Sequence, residues 1–236
     1  DANSTSVQGY TKFSRDGYYR AAIPAVKRVN ASDISIPHIA SNADWWTGVS
    51  LVNTTSLPKV LTITFNDGRT GQISLAANEH RAFDIAREFF DNRPQPDIQS
   101  AVISNAGGVI GLVLFGSAGW GTQLEGVLLT DRATSTITYP HVAGNEWWTG
   151  IVAYNPSASA CTVTVTPYSD QGFALATSTS FIDGKGKYIG AVSGLGLPGQ
   201  TAWLKIDSTE PLTGFELFGA VDGSRLASFA GGGGTG

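Results

Sequence analysis

Few residues of this 236-residue chain have the types and spacing that catalysis or metal binding requires. His38 and His141 each follow a proline, and an acid lies a few residues further on, at Asp44 and Glu146. A metal site needs three or four converging ligands, so one histidine and one acid at each place predict structural hydrogen bonds instead. His80 has no comparable neighbour, and no role is assigned to it. We therefore predict no metal site and no cofactor.

Candidate nucleophiles are equally sparse. The single cysteine, Cys161, starts the alternating run Cys-Thr-Val-Thr-Val-Thr, where a small buried side chain fits. No serine stands in a Gly-x-Ser-x-Gly turn, and the spacing in Gly116-Ser117-Ala118-Gly119 is wrong for one. Asp67 and Asp170 occupy matching places in the two halves, but both stand in turn sequences between strands. We predict a non-enzymatic protein without catalytic residues.

A double tryptophan is the most prominent candidate for binding. Trp45-Trp46-Thr47-Gly48 is followed 102 residues later by Trp147-Trp148-Thr149-Gly150. Because neighbouring strand residues point to opposite faces, one tryptophan of each pair should enter the core and the other should face outwards. An outward tryptophan can pack at an interface or stack on a sugar ring. We favour packing, because tryptophan is common at interfaces.

These motifs belong to an internal repeat of about 103 residues. Ile36-Pro37-His38-Ile39-Ala40 matches Tyr139-Pro140-His141-Val142-Ala143, and residues 111–116 match residues 214–219. Units of this length are too long for solenoid repeats and fit whole small domains. We therefore predict two tandem domains, at 36–135 and 136–236.

The end of the repeat occurs a third time, within a segment over residues 1–35. Gly9-Tyr10-Thr11-Lys12-Phe13 matches residues 111–115, although Lys12 stands where Leu114 and Leu217 stand. An isolated hairpin cannot bury its apolar side chains, so the segment needs a partner surface. It can pack within its own chain, or add strands to a neighbouring subunit as a donor strand and so build a filament. The side chains predicted to form that assembly interface are Tyr10, Phe13, Tyr18, Tyr19 and Ile23.

Most segments alternate with the period of two that a half-buried strand requires. Examples are residues 60–65, 136–139, 162–166 and 202–206, which are separated from other such runs by Asn-Asp-Gly and Asp-Gly turn sequences. Only residues 82–91 have the character of a helix, which Pro94 would stop. The predicted fold class is all-β, with two tandem antiparallel β-sandwich domains from an internal duplication and an N-terminal strand segment.

Composition excludes several classes of partner. The formal net charge is −4 and only 14% of residues are charged, so we predict no binding to nucleic acid. The longest apolar run, Val109 to Phe115, is far shorter than the roughly 18 residues of a membrane-spanning helix, so no membrane span is predicted. The low charge, the lack of methionine and the first residue, Asp1, are typical of a mature exported protein. We expect an extracellular or cell-surface location.

The segments Pro140-His-Val-Ala, Trp147-Trp-Thr-Gly-Ile-Val-Ala-Tyr-Asn-Pro and Pro211-Leu-Thr-Gly-Phe-Glu-Leu-Phe-Gly resemble uncharacterised tandem β-sandwich repeats of secreted and cell-surface proteins of bacteria and archaea. The resemblance covers nearly all of residues 36–219 and implies export and fold, but no catalytic residue and no ligand. Our hypothesis is an extracellular structural protein, a filament or surface-layer subunit whose partners are copies of itself. The alternative is a carbohydrate-binding or adhesion module that binds glycans through exposed tryptophans.

Overall fold

The computed structural model describes residues 9–15, 17–26, 28–119 and 121–231. Over these residues the prediction of an all-β fold is confirmed, because antiparallel strands make up nearly all of the regular structure. The first two strands, β1 (Tyr10–Arg15) and β2 (Tyr19–Pro24), pair only with each other. They belong to the predicted segment 1–35, whose first eight residues lie outside the described ranges.

A first group of strands forms two sheets that pack face to face. One sheet has the order β10-β9-β4-β7 and the other has the order β3-β8-β5-β6. The strands are β3 (Ile34–Ile36), β4 (Trp45–Asn53), β5 (Lys59–Phe65), β6 (Thr70–Leu75), β7 (His80–Asp84), β8 (Ala101–Ser104), β9 (Val109–Ser117) and β10 (Leu124–Leu129).

A second group has the same order of strands, except that one long strand, β16, serves both sheets. Its C-terminal half lies in the order β17-β16-β12-β15, and its N-terminal half lies between β11 and β13, with β14 outside β13. The strands are β11 (Thr134–Tyr139), β12 (Trp147–Tyr154), β13 (Cys161–Tyr168), β14 (Ser178–Ile182), β15 (Lys187–Ala191), β16 (Trp203–Ala220) and β17 (Leu226–Ala230).

Alternation along the strands explains where the cores lie. In β5, Leu61 and Ile63 are fully buried in the first core, whereas Thr62 and Thr64, which alternate with them, point to the other face. In β13, Val163 fills the second core. Cys161 is buried at the start of the same strand, as predicted. Burial of such aliphatic side chains contributes roughly 1.5–3 kcal/mol each, so the period-two pattern is what holds both groups together.

The predicted helix over residues 82–91 is shorter than expected. Ala82 and Phe83 continue β7 because they pair with β4, and the helix α1 covers only Ile85–Phe89. Asp84 ends the strand and caps the helix, since its side chain accepts a hydrogen bond from the Arg87 N–H at 2.9 Å. At the matching place of the second group stands a single 3-10 turn, Val192–Gly194.

The two groups are joined by more than the chain connection. Val152, Phe215 and Leu226 of the second group belong to the buried cluster of the first. The strands that open the groups begin at Ile34 and Thr134, two residues before the predicted boundaries. No helix in the described part of the chain is long and apolar enough to cross a membrane.

Candidate functional site

Three hairpins lie side by side along one edge of the molecule. We name them the N-terminal hairpin (β1 and β2), the middle hairpin (β9 and β10) and the C-terminal hairpin (the second half of β16, with β17). Strand β10 contacts both β2 and β17. The third copy of the repeat's end, recognised in the sequence, is therefore the first member of a stack of matching hairpins.

Each hairpin carries two rows of side chains on opposite faces. The inner row of each hairpin is one cross-strand pair, which consists of the residue two positions before Phe13, Phe115 or Phe218 and its partner on the other strand. These pairs are Thr11 with Ile23, Val113 with Val127, and Glu216 with Phe229. The outer row is the next pair along, on the opposite face: Lys12 with Ala22, Leu114 with Gly126, and Leu217 with Ser228. In both contacts within the chain, an inner row packs on the outer row of the following hairpin.

The first contact joins the N-terminal and middle hairpins. Ile23 is only 1% exposed, and its Cδ1 atom occupies the space that a Cβ on Gly126 would need. Glycine at position 126 is therefore what allows Ile23 to approach the strand closely. In the chain itself, the N-terminal segment packs on its own first group.

The second contact joins the middle and C-terminal hairpins. The hydroxyl of Ser228 donates to the carbonyl of Gly126 at 2.8 Å, and the rings of Phe115 and Phe215 stack with centroids 5.5 Å apart. The turns are tied as well, since the Thr122 hydroxyl donates to the Gly223 carbonyl at 2.7 Å. Val113 and Val127 of the middle inner row are buried in the first core, to which Phe215 and Leu226 of the C-terminal hairpin also belong.

The stack has two uncovered ends. At one end, Phe229 is 56% exposed, whereas its counterparts Val127 and Ile23 are 7% and 1% exposed. At the other end, Lys12 and Ala22 of the N-terminal outer row are exposed, whereas the middle and C-terminal outer rows are covered by their neighbours. Tandem repeats bury their faces against one another, so the two open ends are the surfaces that a further hairpin would cover.

The five residues predicted for the assembly interface lie in different places. Ile23 is buried inside the chain, and Phe13 and Tyr19 are half-buried on the same face of the hairpin. Tyr18 lies at the turn, where the Arg15 guanidinium sits 4.2 Å above its ring. Tyr10 is 72% exposed on the outer face. Tyr10 is therefore the one of the five that a neighbouring molecule could contact on the outer face.

A buried acid stands in the inner row of the C-terminal hairpin. Glu216 is 0% exposed, and among the residues that the structure describes, no group forms a hydrogen bond to either carboxylate oxygen. The His141 N–H approaches the carboxylate and favours its charged form, without meeting the geometry of a hydrogen bond. Burial is the larger influence and raises the pKa of Glu216 to about 8. The side chain is therefore uncharged in the single chain at neutral pH.

A second polar contact links the two groups of strands. The Lys187 ammonium lies 2.9 Å from His38 Nδ1 and also donates to the Gln99 carbonyl at 2.5 Å. Burial lowers the pKa of His38 to about 3, with a smaller effect from Lys187, so the ring is neutral and accepts the lysine proton. His141 occupies the matching place in the second group and is exposed, because no further group covers it.

The repeated Trp-Trp-Thr-Gly motif is a packing device in both groups. Trp46 lies flat against the sheet over Gly48 and Gly116, and a Cβ on Gly116 would clash with its indole ring. The Thr47 hydroxyl fixes the preceding segment, since it accepts from the Ala40 N–H and donates to the Ala40 carbonyl, both at 2.8 Å. The second motif repeats this arrangement, with Trp148 over Gly150 and Gly219 and Thr149 bonded to Ala143.

The four tryptophans have different neighbours. Trp45 and Trp148 both pack against the first core, and they line a cleft of about 670 Å³ between the two groups, together with His38, Phe115 and Phe215. Trp147 lies near Arg225, beside the turn of the C-terminal hairpin. Trp46 lines a groove of about 720 Å³, whose other lining residues include Arg81, Asp84, Arg87, Glu88 and Leu114.

Sequence patterns alone did not identify Phe229 and Glu216 as candidate site residues. Phe229 lies in a short, unremarkable run, and only its alignment with Val127 marks it as an inner-row residue. Glu216 was visible in the repeat as an acid at the place of Val113. Departures from an internal repeat were thus the signal available. Within the described ranges, no group of three or more His, Cys, Asp or Glu residues is placed to hold a metal ion.

Comparisons with known proteins give no family. No protein-family model matches the sequence, and no curated protein matches it. Among solved structures, the chain is 11% identical to Thermotoga maritima 1070, with a TM-score of 0.37, over 44% of this chain and 98% of that chain. It is 12% identical to a calcium binding mutant of Bacteroides uniformis beta-glucuronidase 2, with a TM-score of 0.19, over 86% of this chain and 32% of that chain. Such low TM-scores support no conclusion about function.

Proposed function

We propose that this protein is a non-enzymatic, extracellular structural subunit that polymerises head to tail through its hairpins. In the proposed contact, the inner row of the C-terminal hairpin of one copy covers the outer row of the N-terminal hairpin of the next. The two surfaces differ, so the contact is heterologous and does not close on itself. A filament follows from its repetition.

The observation that carries this proposal is the exposed Phe229 at one end of the stack. Its two counterparts are buried in the chain, Ile23 against Gly126 of the middle hairpin and Val127 in the first core, to which Phe215 and Leu226 of the C-terminal hairpin also belong. The contact would therefore repeat an interface that the chain already forms twice, with a second copy as the occupant. A location outside the cell is supported by composition, since only 14% of residues are charged and 29 are glycine.

Electron microscopy and light scattering of the purified chain over a range of concentrations test the proposal. The unaltered chain should form filaments, and Phe229→Asp should remain monomeric, because it places a charge in the contact. Phe173→Asp is the matched control: Phe173 is 69% exposed in the connection between β13 and β14, away from the stack, so filaments should persist. A wild-type chain that stays monomeric at every concentration, or a Phe229→Asp chain that polymerises normally, overturns the proposal.

The groove beside Trp46 supports a second candidate function, glycan binding. The indole is half-buried flat on the sheet, and an ion pair between Arg81 and Glu88, at 2.5 Å, lies at the same groove. An aromatic face beside charged side chains suits a sugar ring, whose C–H face stacks while its hydroxyls form hydrogen bonds. Glycan-array binding that is lost in Trp46→Ala would support this function. Binding that persists in Trp46→Ala would exclude this groove.

A further inference from the structure

Two charged residues depart from the pattern of the three hairpins. In the inner rows, Glu216 stands where Val113 stands in the middle hairpin. In the outer rows, Lys12 stands where Leu114 and Leu217 stand. One departure is an acid at the C-terminal end of the stack, and the other is a base at the N-terminal end.

The environment of Glu216 is incomplete in the single chain. Both carboxylate oxygens are buried, and neither has a hydrogen-bond partner in the part of the chain that the structure describes. Buried polar groups are nearly always hydrogen-bonded, and a buried carboxylate without a partner is strongly destabilising. The cross-strand neighbour of Glu216 is Phe229, whose side chain is more than half exposed. The acid therefore lies directly beside the surface that the head-to-tail contact would cover.

The two contacts within the chain indicate which pairs would meet between copies. Ile23, the cross-strand neighbour of Thr11, lies on Gly126, the neighbour of Leu114, and Ser228 of the C-terminal outer row bonds to the Gly126 carbonyl of the middle hairpin. Continued by one step, the pair Glu216 and Phe229 would lie on Lys12 and Ala22 of the next copy. Ala22 is small, like Gly126 and Ser228, so it leaves room for the phenyl ring.

We propose that the Glu216 carboxylate of one copy pairs with the Lys12 ammonium of the next, and that this pair selects the terminal hairpins as partners. The inference rests on the proposed head-to-tail function. A rotation of the Glu216 side chain towards Phe229 brings the carboxylate to the contact. The ammonium supplies the donor that the acid lacks, and the covered surface removes both groups from water together.

The pair gives the assembly a fixed register. An acid opposite one of the leucines of the other outer rows would leave a buried polar group without a partner, and a lysine opposite Val113 would leave a buried charge without one. The N-terminal hairpin of one copy should therefore bind the C-terminal hairpin of another copy more tightly than it binds the middle hairpin. Glu216, which we expect to destabilise the single chain, would thus give the contact between chains its specificity.

The test restores the apolar pattern at both positions. Lys12→Leu alone leaves the buried acid without its partner, and Glu216→Val alone leaves the Lys12 charge unpaired. Each should raise the critical concentration for polymerisation by about tenfold or more. The double variant reproduces the leucine and valine of the middle hairpin, and its critical concentration should return to within about threefold of the wild-type value. Arg93→Leu, which removes an exposed cation in the connection between α1 and β8, is the matched control and should have little effect.

The outcomes separate this inference from the function on which it rests. If the wild-type chain polymerises and both single variants polymerise equally well, the pairing is wrong and head-to-tail assembly stands. If the double variant is no better than the weaker single variant, the two side chains do not meet. If the wild-type chain does not polymerise, both proposals fail. Sedimentation at low concentration and urea unfolding verify that each variant remains a folded monomer. We expect Glu216→Val to fold, because Val113 occupies the same place in the middle hairpin.

Discussion

The buried acid Glu216 should make the stability of the single chain fall as the pH rises, and Glu216→Gln should remove that dependence. The ordinary pKa of a glutamate is 4.5, and burial raises that of Glu216 to about 8. Below about pH 4.5 the carboxyl is protonated in both the folded and the unfolded chain, so it does not affect the free energy of unfolding. Above that pH the unfolded chain releases the proton while the folded chain retains it.

The size of the effect follows from this pKa difference. One pKa unit corresponds to about 1.4 kcal/mol, so the free energy of unfolding should fall by about 1.4 kcal/mol for each pH unit between roughly pH 5 and pH 8. At pH 7 the accumulated loss is about 3 kcal/mol.

Urea unfolding of wild-type and Glu216→Gln chains measures this loss, at concentrations where both are monomeric. The stability difference in favour of glutamine should grow by about 2–3 kcal/mol between pH 5 and pH 7. Glu146→Gln is the matched control: Glu146 is exposed, so its replacement should leave the stability curve parallel to that of the wild type. Parallel stability curves for wild type and Glu216→Gln would refute the reasoning.

Three further changes test the packing described above. Gly116→Ala should cost about 1–3 kcal/mol and shift the tryptophan fluorescence, because the added Cβ lifts Trp46 from the sheet, while Gly144→Ala, with open space around it, should change neither. Asn53→Ala should cost about 3 kcal/mol in thermal unfolding, because the fully buried amide donates to two backbone carbonyls, at 2.8 and 2.9 Å, that lose their partner. Asp131→Asn should flatten the acid limb of unfolding: the Arg28 guanidinium lowers the pKa of Asp131 from 3.8 to about 2, so its stabilisation is complete above about pH 4 and is lost as the pH falls through about 2.

The fold class could be predicted from the sequence because the alternation of apolar and polar residues, which indicates a strand, is visible within a few neighbouring residues. Val60 to Phe65 alternates in sequence and forms β5 in the structure, with Leu61 and Ile63 buried as the pattern requires. The helix after β7 was mispredicted in length, because Ala82 and Phe83 are held in a strand by pairing with β4. That pairing is a tertiary contact and overrides local helix propensity.

The candidate site depended on contacts that a single sequence does not contain. The third copy of the hairpin was found from Gly9 to Phe13, but which of its faces is covered could not be read from alternation alone. Ile23 is buried because Gly126, far along the chain, leaves space for it. Likewise, Trp46 is laid flat by Gly116, a partner 70 residues away. The burial of Ile23 and the orientation of Trp46 both depend on which residues of distant strands lie next to each other.

An alternative explanation is that the N-terminal hairpin is a capping repeat. Terminal repeats commonly carry polar outer faces that keep the protein soluble, and the outer row of this hairpin is exposed and contains Lys12. Two features distinguish assembly from capping. A capped stack needs both ends closed, yet Phe229 is left exposed at the other end. In addition, the buried carboxyl of Glu216 has no hydrogen-bond partner in the described part of the chain, and we expect it to lower stability at neutral pH, whereas valine fills the same place in the middle hairpin. A residue that opposes folding locally is expected where a function beyond folding requires it. Contact with a second copy supplies that requirement, because Lys12 is the matching departure at the opposite end of the stack.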